Sequence, residues 1–112
     1  MANDVTIQQN IYTAFVGTSW TTLYTTPDLN SMYKFYFLFH NNNSTTERIR
    51  IKFVIDSVDL VWWNDDLVSQ DTLAINYPQE HGLILPQNST VNAKVDTADQ
   101  VTLIMTVIRT SV

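Results

Sequence analysis

Hydrophobic and polar residues alternate with a period of two along most of this chain, which is the signature of half-buried β-strands. In Tyr33-Lys34-Phe35-Tyr36-Phe37-Leu38-Phe39 the odd positions put four aromatic rings on one face. In Arg48-Ile49-Arg50-Ile51-Lys52-Phe53-Val54-Ile55 the odd positions are apolar and most even ones are basic, which describes a strand with one wet face. Val91, Ala93 and Val95 alternate with Asn92, Lys94 and Asp96, and Leu73, Ile75 and Tyr77 alternate with Thr72, Ala74 and Asn76. Between Val101 and Arg109 one face carries Val101, Leu103, Met105 and Val107, and the other carries Thr102, Ile104, Thr106 and Ile108. Helical spacing prevails nowhere, and 15 Thr residues together with many Val and Ile favour extended backbone.

The pattern predicts strands over residues 4–11, 20–25, 32–40, 47–55, 58–63, 71–77, 82–85, 90–96 and 100–110. Breaker clusters separate them at Thr26-Pro27-Asp28, His40-Asn41-Asn42-Asn43-Ser44-Thr45, Trp63-Asn64-Asp65-Asp66, Tyr77-Pro78-Gln79 and Pro86-Gln87-Asn88-Ser89. With Gly17 and Gly82 the only glycines, Asn and Asp are expected to take most left-handed turn positions. Eight or nine short strands in one domain fit a two-sheet sandwich, a jelly roll or a closed barrel. The reading taken forward is all-β, an antiparallel β-sandwich of jelly-roll type. Residues 1–19 are the least patterned and read as an N-terminal arm or as a first strand, ahead of a single sandwich domain over 20–112. Val5 and Ile7 alternate weakly there, in a segment of the kind that adds to a neighbour's sheet.

Composition narrows the classes. A chain of 112 residues is one domain, and 45% hydrophobic with 12% aromatic residues excludes disorder by composition. No apolar run approaches the roughly 20 residues that span a bilayer, so no membrane partner is expected. Met1-Ala2-Asn3-Asp4 has neither a basic nor an apolar region of the signal-peptide kind. Cysteine is absent, which removes disulfide staples and points to synthesis in a cytosol. The net charge is −5, and the six basic residues are Lys34, Arg48, Arg50, Lys52, Lys94 and Arg109. That balance opposes a phosphate-neutralising footprint, so nucleic acid is not an expected partner.

Little in the sequence suggests catalysis. His40 and His81, the only imidazoles, sit in no recognisable motif, and His81 reads as part of a turn. Asp65-Asp66 is a carboxylate pair, but a glycosidase pair faces itself across a cleft from different strands, so these two read as a charged turn. Metal-ligand spacing and a glycine-rich phosphate loop are both lacking, and no metal or cofactor is expected. Interface candidates are more prominent. Trp62-Trp63 is the most unusual feature: on a regular strand the two indoles face opposite sides, as two buried faces or as one core ring and one sugar- or protein-contact ring. The basic positions Arg48, Arg50 and Lys52 form either a solvated face or an electrostatic contact with an acidic neighbour. Ile104 and Ile108 make the second face of the last strand more apolar than a solvated face normally is.

Several segments share a rhythm with one protein family. They are Trp20-Thr21-Thr22-Leu23-Tyr24-Thr25-Thr26-Pro27, then Phe37-Leu38-Phe39-His40-Asn41-Asn42-Asn43-Ser44. Later come Leu83-Ile84-Leu85-Pro86-Gln87-Asn88-Ser89-Thr90-Val91-Asn92-Ala93-Lys94-Val95 and Gln100-Val101-Thr102-Leu103-Ile104-Met105-Thr106-Val107. Over about residues 20–110 the chain resembles short β-rich virion proteins of tailed bacteriophages, of the capsid cement or decoration type. It departs from them at Gln87-Asn88-Ser89 and Asp28-Leu29-Asn30, where the family favours glycine-containing turns. The resemblance implies a non-enzymatic structural protein that binds the outer capsid surface as a homo-oligomer and stabilises the shell. Its partners would be the major capsid protein and copies of itself, and its location the virion, after synthesis in the host cytoplasm. The alternative is a receptor- or carbohydrate-binding module of a phage fibre or tail, with Trp62 or Trp63 as the stacking platform. As a first check, far-ultraviolet circular dichroism is expected to show a β spectrum; a helix-dominated spectrum would refute the strand reading.

Overall fold

The structure is a computed structural model that describes residues 6–27, 31–78 and 82–111, with side chains described from 14 to 110. The strands are β1 (Thr6–Phe15), β2 (Thr21–Thr25), β3 (Ser31–Asn41), β4 (Glu47–Ile55), β5 (Val58–Leu67), β6 (Thr72–Tyr77), β7 (Leu83–Leu85), β8 (Thr90–Lys94) and β9 (Val101–Ser111). They form two antiparallel sheets. The first has the order β1-β9-β3-β6, with β7 also pairing β3, and the second has the order β2-β8-β4-β5. Most successive strands change sheet, and this strand order is that of a jelly roll.

Alternation along each strand sets the core. Tyr33, Phe35, Phe37 and Phe39 of β3 are buried, and so are Val101, Leu103, Met105 and Val107 of β9. Register joins them directly, with Phe35 opposite Val107, Phe37 opposite Met105 and Phe39 opposite Leu103. In the second sheet Ile49, Ile51 and Phe53 of β4 are buried with Val91 and Ala93 of β8. The two layers meet through ring contacts, among them Phe35 with Phe53 at 5.6 Å between centroids.

Turn chemistry follows the sequence expectation. The β4–β5 hairpin turns on Asp56 and Ser57, both at positive φ, which is the two-residue loop geometry that matches strand twist. Asn88 and Asp99 also take positive φ, with Gln70, while neither glycine does. Asn41 ends β3 fully buried, and its Nδ2 donates to the carbonyls of Thr45 and Leu67. Glu47, buried at the start of β4, accepts from Asn43 Nδ2 and from the backbone N–H of Thr97. These two polar residues fix the end of the sandwich where three chain connections meet.

Two boundaries differ from the sequence reading. The first strand runs over Thr6–Phe15, further along the chain than 4–11. The segment Trp63-Asn64-Asp65-Asp66 lies within β5 and is not a turn. Two of its three polar residues sit opposite basic ones, Asp66 opposite Arg48 and Asn64 opposite Arg50, so cross-strand pairing outweighs their turn propensity.

Truncating the central ring of β3 tests the core. Phe37→Ala is expected to cost about 3–5 kcal/mol through lost burial and a residual cavity. A melting temperature within a degree or two of the parent's would mean that this face is not the core.

Candidate functional site

Three surfaces carry the residues singled out in the sequence. The first is the outer face of the second sheet. Arg48, Arg50 and Lys52 project there, and each is bound within the chain: Arg48 to Asp66 at 3.0 Å, Arg50 to Asp96 at 3.0 Å and Lys52 to Asp59 at 2.9 Å. Arg48 Nε also donates to Asn64 Oδ1. Lys52 and Lys94 lie over the Trp20 ring, at 4.5 and 4.9 Å from its centroid. The basic stripe is therefore locally neutralised and partly covered, which reduces the field it presents to a partner. Each exposed pair contributes on the order of 0.2–1 kcal/mol. Trp20 was not singled out as a contact residue from sequence, because its lysines come from two distant strands.

The second surface is the edge where β5 and β6 come together. The register slips between Ile51 and Lys52, which pair with Trp63 and Val61, so Trp62 is the extra residue of a β-bulge. The bulge overturns the expectation that the two indoles face opposite sides. Trp62 and Trp63 both pack against the core cluster, with centroids 6.4 Å apart, and both line one open cavity of about 320 Å³ with Ile75, Asn76, Tyr77 and Pro78. Trp62 stacks on Tyr77 at 4.2 Å and on Phe53 at 5.6 Å. With neighbours stacked at both distances, it pins the two sheets together at this edge and is poorly placed as a sugar platform. Trp63 is the better placed of the two to meet a ligand. Both indole Nε1 atoms are buried without a hydrogen-bond partner, leaving two donors unused. Earlier on β5, Val58, Leu60 and Val61 are each about half exposed.

The third surface is the outer face of the first sheet. Ile104 is 38% exposed and Leu38 42% exposed, and the two are direct cross-strand partners. Ile108 is half-buried on the same face, opposite Lys34. Leu38 was not singled out from sequence, although an apolar residue on the even face of an odd-face aromatic strand was the available signal. Of the two N-terminal candidates, Val5 lies outside the described residues. Ile7 is described only as a backbone position of β1, opposite Arg109. β1 pairs along β9 from Thr6 to Phe15 and forms one edge of the first sheet.

Of the groups considered for chemistry, His40 Nδ1 lies 2.8 Å from Thr72 Oγ1, and His81 is outside the described residues. Asp65 and Asp66 occupy successive positions on a strand and are exposed. Among the described residues no three His, Asp or Glu side chains converge as metal ligands.

Neither a family model nor a curated protein sequence matches the chain. Solved structures match its fold. A chain from the disulfide-linked pili of Bacillus endospore appendages superposes with a TM-score of 0.63 at 11% identity, over 98% of this chain and 91% of that one. The tobacco streak virus coat protein superposes with a TM-score of 0.57 at 11% identity, over 99% and 87%. A chain of the infectious bursal disease virus particle gives a TM-score of 0.63 at 8% identity, over 96% of this chain but 31% of that one. This chain thus spans about a third of the length of that viral protein. At such identities the likeness is one of fold: an all-β, jelly-roll domain of the kind also found in virus coats and in a pilus.

The ion pairs on the second sheet make a specific prediction. Arg50→Glu is expected to lower stability by less than about 1 kcal/mol, and adding Asp96→Arg should restore the pair and most of the loss. Chemical denaturation of the two single variants and the double variant checks it; additive losses would deny the interaction.

Proposed function

We propose that the chain is a non-enzymatic structural protein of a virion, a capsid cement or decoration protein of the tailed-phage kind. On this reading it binds the outer capsid surface as a homo-oligomer and stabilises the shell. The observation that carries the reading is the apolar start of the edge strand β5, where Val58, Leu60 and Val61 stand about half exposed ahead of Trp62 and Trp63. A soluble domain gains nothing from three adjacent exposed aliphatic side chains at one edge unless a partner covers them. The partner would meet these side chains rather than pair with the strand. The bulge at Trp62 and the carboxylates Asp59, Asp65 and Asp66 blunt β5 against strand addition. The fold likeness to coat and pilus chains supports a structural role, and binding the assembled shell in preference to its free subunits would stabilise it by mass action.

The cavity supports a second reading, a receptor- or carbohydrate-binding module of a fibre or tail. Trp63, which lines the cavity, would then meet the ligand.

Cognate capsids stripped of the protein separate the two. Under the first reading, adding the parent raises the capsid melting temperature, and Val61→Asp weakens binding at least tenfold without changing the fold. A parent that leaves shells unaffected but binds glycans, with Trp63→Ala abolishing the binding, would replace the first reading with the second.

A further inference from the structure

Among the described residues, the outer face of the first sheet differs from that of the second in its charge. Among the described side chains on the outward positions of β3, β6, β7 and β9, the one ionic group is Lys34, and no carboxylate is present. The described carboxylates lie elsewhere: Asp59, Asp65 and Asp66 on β5, Glu47 in the interior, and Asp56, Asp71, Asp96 and Asp99 in the connections. The chain carries a net charge of −5, yet this face carries none of that excess. An acidic or basic partner would find no complementary charge here. A second copy of the same chain would find no repulsion.

We propose that this face is the contact between two copies of the chain, related by a two-fold axis that runs across the strands through the row Ile104–Leu38–Ala74. The proposal rests on the homo-oligomeric reading above and specifies its interface. Register makes the row: Leu38 lies opposite Ile104 on one side and opposite Ala74 on the other. It is the apolar centre of the face, with Leu38 and Ile104 among the exposed large hydrophobic side chains. The rows on either side carry hydroxyl, amide and imidazole groups, Thr102–His40–Thr72 and Thr106–Tyr36–Asn76.

Size and charge then select the geometry. Four strands across the sheet, β1, β9, β3 and then β6 with β7 in line, at about 4.8 Å, with eleven residues at about 3.3 Å, give a face of roughly 19 by 36 Å, or about 700 Å². That is close to the ~800 Å² per partner of a stable protein interface. Two axes could centre such a contact on Leu38. An axis along β3 would set Lys34 against Lys34 of the partner. An axis along the cross-strand row leaves Leu38 and Ala74 facing their own counterparts. It also carries the two Lys34 side chains to opposite ends, roughly 26 Å apart at 3.3 Å per residue, beyond the screening length of ~8 Å. The second axis removes the one repulsion the face contains. It also sets one polar row against the other, where water can bridge what does not pair directly.

The absence of native cysteine makes the test clean. Sedimentation equilibrium of the full chain is expected to show a dimer, and Leu38→Asp is expected to give a monomer with an unchanged circular dichroism spectrum. In parallel, Ala74→Cys should cross-link to itself efficiently with a short bis-maleimide, and Lys34→Cys should cross-link at least tenfold less. A parent that is monomeric throughout the concentration range overturns the proposal. So does a parent that is monomeric but loses shell binding on Leu38→Asp, which would give this face to a capsid subunit. Efficient cross-linking at Lys34→Cys with none at Ala74→Cys overturns the axis. None of these measurements of mass and cross-linking requires a shell, so failure of the capsid reading leaves its own distinct signature.

Discussion

Everything in this molecule depends on the column of rings that β3 drives through the middle of the sandwich. Tyr33, Phe35, Phe37 and Phe39 follow one another at about 6 Å spacing on the buried face of the strand. Neighbours from the opposite sheet pack on them: Tyr24 of β2 on Tyr33, Phe53 of β4 on Phe35, and Trp62 of β5 on Phe37. Such pairs contribute about 0.5–1.5 kcal/mol each beyond the area they bury. The column also fixes register. A slip of one residue in β3 would send four rings to solvent and bring Lys34 into the core, which no compensating contact could offset.

The same column explains the edge at β5. Two sheets of a sandwich must be closed along each side, and here the closure is aromatic. Trp62 reaches its position between Phe53 and Tyr77 because the bulge shifts the alternation of β5 by one residue. Trp63 then lies opposite Ile51, on the core-facing side as well. A regular strand would have placed one indole outside. The bulge thus converts a pair of adjacent tryptophans into a single cross-sheet wedge. The wedge does not fill the edge, and the cavity of about 320 Å³ remains open beside it.

The strands were legible because burial on this fold is one-sided, and one-sided burial writes a period of two into the sequence. The order of the strands was not legible at that level. Only the β4–β5 hairpin joins sequence neighbours by a tight two-residue turn within one sheet, and most other pairings link distant segments, such as β1 and β3 with β9. The jelly-roll reading therefore came from strand number and family rhythm rather than from pairing. Departures from the local rules fall where long-range pairing wins. Asn64-Asp65-Asp66 has turn composition but meets a basic strand, and Trp62-Trp63 has strand alternation but meets a bulge. The basic stripe was legible as a face, but not as a neutralised one, because Asp96, which binds Arg50, comes from the connection after β8.

Charge placement is what distinguishes the two broad faces. On the second sheet, Arg48, Arg50 and Lys52 are answered by carboxylates of β5 and of the connection after β8, and Lys52 also by the Trp20 ring, so that face is self-contained. On the first sheet the outward positions of β9 alternate between Thr and Ile, and among the described outward side chains of β3, β6, β7 and β9 Lys34 is the one ionic group. Solvation alone would not produce that division, since water favours charge on both faces equally. An acidic chain that self-associates has a reason for it. Every carboxylate on a contact face would meet its own image across a two-fold axis, and at such close range a like-charge pair is costly to desolvate. Keeping acids off one face lets identical surfaces approach.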